Sequence, residues 1–390
     1  MARELIITIY LSLFKLFFNI CKLAPLKNKV TFVVSFGDNC AYVYNQMRKM
    51  NSPVQEVIFL RKKGCKYQFE LDNQTQIINF ETLNVIGMVR SIFHLATSKY
   101  VIIDNYYGFL AATRFRKGAE CIQLWHAAGA IKKFGLQDPS NALRSKRAMH
   151  RFKSVYQNFH KVVVGSDRLA SIYFDSFGIG EQNILRTGIP RTDLFYDEKK
   201  QTQTVKEIER LLPNVNGRKI ILYAPTYREK DLEQFSLHLD LGKMQKELGD
   251  THVVILRLHQ AVNGSEECSQ LYPDFVYDFT FYPELNELLF ICDYLITDYS
   301  SIPFEFSILE KPMIFYPYDL KEYGVERGFW ENYSAFVPGP IAYRTEDIIK
   351  IISLHEFDNN KIKNFSKDWN EYSSGDSSRK LVEYMHQHIS

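Results

Sequence analysis

Residues 282–319 read YPELNELLFICDYLITDYSSIPFEFSILEKPMIFYPYD: a helix, a buried strand, a tight polar turn, a second helix, a loop and a second buried strand. The apolar run 294–297 ends abruptly in Asp298-Tyr299-Ser300-Ser301, and a helix-compatible run, 302–309, follows at once. Pro303 falls in the first helical turn, where a missing N–H is harmless, and Ser301 is the expected N-cap. A strand that feeds a helix start at the carboxyl edge of a sheet presents unpaired backbone N–H groups, and α/β proteins hold anions there. Any α/β protein has such turns, and a serine that merely caps its helix looks the same.

Upstream, apolar runs at 30–35, 57–60, 76–80, 100–104, 120–125 and 161–165 alternate with helical or polar stretches, the signature of a parallel sheet covered on both faces. A second set follows at 219–224, 252–258, 275–277, 294–297 and 312–316. Between the sets, 201–216 is polar and contains Pro213, with Gly217 closing it, and this is the expected domain junction. The expectation is an α/β protein with a first domain over 27–200 and a second over 217–390, preceded by a separate helical segment, 1–26. Two such sheets in tandem imply a cleft between their carboxyl edges.

A chain of 390 residues suits two domains, and 46% apolar with 24% charged residues is ordinary globular composition, which argues against disorder. A net charge of +3 is too small to argue for nucleic acid. The six cysteines are scattered with no C-x-x-C spacing, as reduced core residues of a cytosolic protein are.

The most apolar stretch is 5–24, LIITIYLSLFKLFFNICKLA. Thr8, Ser12, Lys15, Asn19 and Lys22 recur at steps of three and four, one narrow polar stripe on an otherwise Leu, Ile and Phe helix. Lys15 at mid-bilayer would cost about 2.5–3.5 kcal/mol, which favours a helix lying in the membrane interface over one spanning it. A helix packed on its own domain has the same pattern, whereas a cleaved signal peptide lacks its small-x-small site.

Four polar motifs end the predicted strands. In the first, Trp125-His126-Ala127-Ala128-Gly129 leads to Lys132 and Lys133. A histidine at a strand end, with its pKa near neutrality, suits removal of a proton from a hydroxyl, although a lone histidine is more often structural. The second is Thr187-Gly188-Ile189-Pro190-Arg191-Thr192-Asp193. The third, Ala224-Pro225-Thr226-Tyr227-Arg228, and the fourth, Arg257-Leu258-His259, follow strands of the second domain, with alternation placing Arg257 and His259 on one side. Guanidinium forks match phosphate oxygens, so these arginines, a histidine and the Ser300-Ser301 turn form a candidate diphosphate site; pairing with carboxylates is the plainer use of each arginine. No D-x-D, H-E-x-x-H, Walker A or G-x-G-x-x-G occurs, so a metal-free site without cofactor is expected. Eight Lys and Arg against one Asp in 132–161 form either a solvated basic face or a contact with anionic lipid.

In combination and in order, these motifs, with Asp298-Tyr299-Ser300-Ser301-Ile302-Pro303-Phe304-Glu305-Phe306 and Glu310-Lys311-Pro312, resemble the CDP-glycerol glycerophosphotransferases of teichoic acid synthesis. The resemblance covers 30–319 and implies two Rossmann-like domains facing a central cleft, of the GT-B glycosyltransferase type, on the cytoplasmic face of the membrane as a peripheral protein. The family's two important histidines fall on His126 and His259, and its nucleotide pocket on Asp298, Ser300 and Ser301. Arg228, Arg257 and Glu305 join the donor set, with Glu305 directed at the ribose, while Trp125, Lys132, Lys133 and Arg191 form the acceptor or lipid set. Trp125-His126-Ala127-Ala128-Gly129 is more similar to the primase branch than to the polymerases, whose motif resembles Trp-His-Gly-Thr-Pro. The implied reaction adds one glycerol phosphate from CDP-glycerol to the undecaprenyl-diphosphate-linked N-acetylmannosaminyl-N-acetylglucosamine disaccharide and releases CMP. Glycerol- or ribitol-phosphate polymerisation and nucleotide-sugar transfer on the same fold are the alternatives. Partners implied are the anionic membrane surface and other teichoic acid enzymes, with no nucleic acid. The resemblance to GT-B folds also leads one to expect the last helix to pack back on the first domain.

Overall fold

Each apolar run expected to be a strand carries one, and all pair in parallel. The computed structural model describes residues 2–228, 237–259 and 265–387 and divides into two units. Unit 1 comprises Met1–Ala128, Phe134–Asp193 and Glu371–Ser390, and unit 2 comprises Gly129–Lys133 and Leu194–Asn370.

Unit 1 holds β1 (Lys27–Val34), β2 (Glu56–Arg61), β3 (Thr75–Asn79), β4 (Ser98–Ile103), β5 (Glu120–Gln123), β6 (Lys161–Val163) and β7 (Ile184–Leu185), in the order β3-β2-β1-β4-β5-β6-β7. β1 is buried from Lys29 onward because helices cover both faces of the sheet, and its Phe32 and Val33 each contribute about 1.5–3 kcal/mol by leaving water. β7 was not expected, since two residues give no readable period. Unit 2 holds β8 (Lys219–Tyr223), β9 (His252–Leu256), β10 (Val276–Asp278), β11 (Tyr294–Thr297) and β12 (Met313–Phe315), in the order β10-β9-β8-β11-β12. Strand order reverses beside β1 in one sheet and beside β8 in the other, which opens a crevice at the carboxyl ends.

Three local readings need correction. The 120–125 strand stops at Gln123, because Trp125 takes a left-handed backbone with φ 59°. The 302–309 helix is α-helical only over Ile302–Phe306 and tightens into a 3-10 turn at Ser307–Leu309. The 201–216 junction lies inside unit 2, because helix Glu198–Glu209 packs on helix Leu285–Ile291 and Lys200 pairs with Glu287 at 3.2 Å.

The first helix, Ala2–Cys21, lies on unit 1 and is not a separate body. Phe14 and Phe18 are buried, Phe14 stacking on Phe109, while Tyr10 donates to Glu81 at 2.6 Å and Glu4 takes a two-pronged pair from Arg151. On the opposite side Leu5, Ile6, Ile9, Leu13, Leu16 and Ile20 are each more than half exposed. The helix is long and apolar enough to cross a membrane by length and composition, yet its buried line is specific to unit 1. The last helix, Ser377–Gln387, packs on helix Asp38–Lys49, also within unit 1.

Candidate active site

In unit 2 the five strands bring polar groups to one edge. Asp298, buried just past β11, accepts Thr226 N–H at 2.7 Å and Tyr299 N–H at 2.6 Å on one oxygen. Its other oxygen accepts from the Arg228 guanidinium at 2.9 Å. Arg228 also grips Asp319, past β12, with two bonds of 2.9 Å, donates to the Thr226 carbonyl, and lies among the rings of Tyr299, Tyr318 and Tyr323. Its charge is therefore met by two carboxylates. Arg228, expected in the donor set, is thus paired within the rim of the sheet, as a buried guanidinium requires.

Lys132 joins this group. The inserted segment 129–133 lays Lys132 in an antiparallel bridge with Phe329, with Lys133 N–H donating to the Gly328 carbonyl and Trp330 N–H to the Ile131 carbonyl. Burial pulls the Lys132 ammonium down to about 8, against the pull of Asp298 in the other direction, and its Nζ stands 5.9 Å from the Tyr323 ring. Lys132 and Lys133, expected on an acceptor or lipid face, belong to unit 2. Gly129 is required by packing, since a Cβ there would come within 2.3 Å of the Phe304 ring.

Arg257 donates to the Thr280 carbonyl past β10, whereas His259 packs on Tyr227 past β8, the rings tilted and their centroids 4.5 Å apart. The two turn to opposite neighbours of β9, so strand alternation did not carry past its end. Ser300 Oγ, and not Ser301, accepts the Ile302 N–H at 3.2 Å; Ser301 precedes the helix without a side-chain cap. Glu305 is buried on the short helix. Among the described residues, Thr226 Oγ1 and Arg257 Nε are buried polar atoms with no hydrogen-bond partner.

In unit 1, His126 lies between two rings, Phe36 at 4.4 Å and Trp125 at 4.5 Å between centroids. Trp125 is fixed by its own contacts. Its N–H donates to Gln123 Oε1 at 2.8 Å, its carbonyl accepts from Asn39 at 3.1 Å, and its ring packs on Phe134 and Phe177. These bonds hold a left-handed residue that costs roughly 1–2 kcal/mol in isolation. Phe36 is held in turn by Asp104, whose carboxylate accepts the N–H groups of Ser35, Phe36 and Gly37 and the Tyr107 hydroxyl at 2.6–3.1 Å. Burial raises the Asp104 carboxyl to about 6 despite these donors, so it is ionised at neutral pH. The first strand-to-helix turn of unit 1 is thus filled by the chain's own anion.

Arg191 pairs with Asp38 at 2.7 Å and donates its backbone N–H to Asn39 at 3.0 Å. The rest of its motif seats the tail. Asp193 accepts Ser377 N–H at 2.8 Å and Ser378 N–H at 2.9 Å, capping the last helix, and Gly188, at φ 83°, sits so close to Ser377 and Tyr372 that a side chain would collide. Sequence reading did not assign Asn39, Phe36, Asp104 or Asp319 to the site. Asp104 and Asp319 carried a signal, an acidic residue past a buried strand, as in Asp298.

The profile of the CDP-Glycerol:Poly(glycerophosphate) glycerophosphotransferase family matches residues 16–387. The teichoic acid glycerol-phosphate primase of Bacillus subtilis (strain 168) is 36% identical over 93% of both chains. The teichoic acid poly(ribitol-phosphate) polymerase of Bacillus spizizenii (strain ATCC 23059 / NRRL B-14472 / W23) is 32% identical over 98% of this chain and 60% of its own. The wall teichoic acid polymerase TagF superposes with a TM-score of 0.80 at 22% identity, covering 100% of this chain and 98% of that one.

Proposed function

From the premise that the chain belongs to the CDP-glycerol:poly(glycerophosphate) glycerophosphotransferase family, we propose that it is a primase of teichoic acid synthesis built on two Rossmann-like, GT-B-type units. It transfers one glycerol phosphate from CDP-glycerol to the undecaprenyl-diphosphate-linked N-acetylmannosaminyl-N-acetylglucosamine disaccharide. In this reading, His126 takes the proton of an acceptor hydroxyl as that oxygen attacks the β-phosphorus. The bond from the β-phosphorus to the bridging oxygen breaks, and CMP leaves with the electron pair. The two flanking rings support the role by fixing the imidazole plane.

Lys132, Arg257 and His259 would carry the diphosphate charge, with Ser300, Ser301 and Thr226 as hydroxyl partners and Glu305 at the ribose. Arg228 and Asp298 position that rim. Arg191 with Asp38, and Trp125, would shape the acceptor side. No metal or cofactor enters the proposal, in keeping with a sequence that has no D-x-D. The single observation that carries the donor assignment is the buried rim at the carboxyl edge of unit 2, where Arg257 Nε and Thr226 Oγ1 lack partners among the described residues. The exposed apolar side of helix Ala2–Cys21 supports peripheral attachment to the cytoplasmic face of the membrane.

The test supplies purified protein with CDP-glycerol and the lipid-linked disaccharide and weighs the product. One added glycerol phosphate supports priming, a ladder indicates a polymerase, and absence of CMP refutes the transferase. His126→Ala should abolish turnover while CDP-glycerol still binds.

A further inference from the structure

Beside helix Ala2–Cys21, unit 1 contains a cleft of about 750 Å³ that the transfer reaction does not use. Lys15 and Asn19 line one wall, Arg114 and Phe115 another, and Gln157, Asn158 and His160 close it. No carboxylate is among the lining residues, and among the described residues neither Lys15 nor Arg114 is in an ion pair. His160 Nδ1 accepts the Cys121 N–H at 3.0 Å, so the neutral ring carries its proton on Nε2 as a donor. The Asn158 NH2 is spent on the Leu110 and Ser154 carbonyls, so the lining offers two cations, an imidazole N–H and the amides of Asn19 and Gln157, a set that selects an anion with several acceptor oxygens.

The helix itself says where such an anion would come from. Phe14 and Phe18 face unit 1, while Leu5, Ile9, Leu13, Leu16 and Ile20 face away from it. The polar stripe with Lys15 and Asn19 lies on one flank, between these two faces, and borders the cleft. With the outward face in a bilayer, that flank stands at the level of the phosphates.

The cleft also lies at the wrong edge of the sheet for the reacting lipid. Phe115 and His160 stand just before the starts of β5 and β6, whereas His126 lies past the carboxyl end of β5. The four residues of β5 by themselves put roughly 10 Å between its two ends, and the left-handed turn at Trp125 follows. We propose that this cleft binds the phosphate headgroup of an anionic phospholipid, a docking site separate from the acceptor site. The proposal rests on the membrane-surface reading of the helix and not on the identity of the transfer reaction.

The full chain is sedimented with neutral phosphatidylcholine vesicles, with vesicles carrying phosphatidylglycerol, and with vesicles carrying undecaprenyl diphosphate. Lys15→Gln with Arg114→Gln should weaken binding to the phosphatidylglycerol vesicles roughly 30-fold, about fivefold per charge. Binding to neutral vesicles should stay as in the unaltered chain, which also reports that the variant is folded. Inorganic phosphate should displace the protein from the phosphatidylglycerol vesicles more than chloride does at equal ionic strength and leave neutral binding intact; equal displacement by both would overturn the proposal. A charge-matched control, Lys363→Gln with Lys367→Gln on unit 2, should change little, since both are exposed there. An equal loss in the control, no loss in the cleft variant, or a loss confined to undecaprenyl diphosphate would overturn the proposal. CMP release in detergent should be unaffected by the cleft variant, so failure here is separate from failure of the transferase reading.

Discussion

Asp104→Asn tests the link between a buried carboxylate and the proposed base. The carboxylate uses both oxygens. One accepts from Phe36 and Gly37, the other accepts from the Tyr107 hydroxyl, and Ser35 donates to both. An amide of the same shape has one acceptor oxygen, so whichever way it turns, its NH2 faces a backbone N–H. With its oxygen toward Phe36 and Gly37 the amide keeps all three backbone donors but loses the Tyr107 bond and sets its NH2 against the Ser35 N–H, a misfit of about 1–3 kcal/mol, while the remaining charge-assisted bonds weaken to neutral ones. A total near 3 kcal/mol lowers the melting temperature by about 6–12 °C for a unit of this size. With these bonds weakened, the Ser35-Phe36-Gly37 turn relaxes, and Phe36 holds one face of His126 less firmly. Turnover is expected to fall by roughly tenfold to a hundredfold, because small displacements of a proton acceptor are costly. CDP-glycerol binding, proposed for unit 2, should persist. The assays are thermal melting by circular dichroism, CMP release, and calorimetric titration with CDP-glycerol. Melting within about 2 °C of the unaltered protein, together with undiminished turnover, would refute the reasoning.

Other outcomes follow from the same geometry. Lys132 is charged below about 8 and neutral above it, so CDP-glycerol affinity should decline as pH rises through about 8. Lys132→Met should remove that dependence together with about tenfold of affinity, one charge-assisted contact, as read by titration across pH. Asp193→Ala takes away both acceptors at the start of the last helix, so amide exchange over 377–387 should accelerate and stability fall by about 1–2 kcal/mol. Replacing Ile9, Leu13 and Leu16 with Ser should release the protein from vesicles and leave its melting temperature nearly unchanged, because these side chains touch little of unit 1. Persistent sedimentation would count against the anchor.

The strands were legible because a parallel strand buried on both faces is a short, nearly unbroken apolar run, as β11 and β12 show. His126 and Asp298 were legible as polar residues standing where such runs end. What sequence could not reveal depends on contacts far apart in the chain. Arg228 looks like a phosphate ligand until Asp319, 91 residues on, is found holding it. Asp193 lies in a motif that reads as chemical, and its carboxylate caps a helix 184 residues away. The left-handed turn at Trp125 had no local cause either, because neighbouring rings and Asn39 impose it on a residue type that disfavours it. Lys132 and Lys133 read as part of a basic run, and only tertiary structure separates them from it.

The placement of 129–133 in unit 2 bears on how this protein can be divided. The backbone changes unit after Ala128, returns after Lys133, leaves again after Asp193 and comes back after Asn370. No single cut yields two self-sufficient halves. A fragment ending at Asp193 would lack the helix that Asp193 caps, and one starting at Leu194 would lack the segment whose Lys132 bridges Phe329. Expression of either half, or exchange of one unit between relatives, succeeds only if these short exchanged pieces travel with the body they complete. Interleaving of this kind ties the histidine turn, three residues from the first crossing, to the inheritance of both units at once.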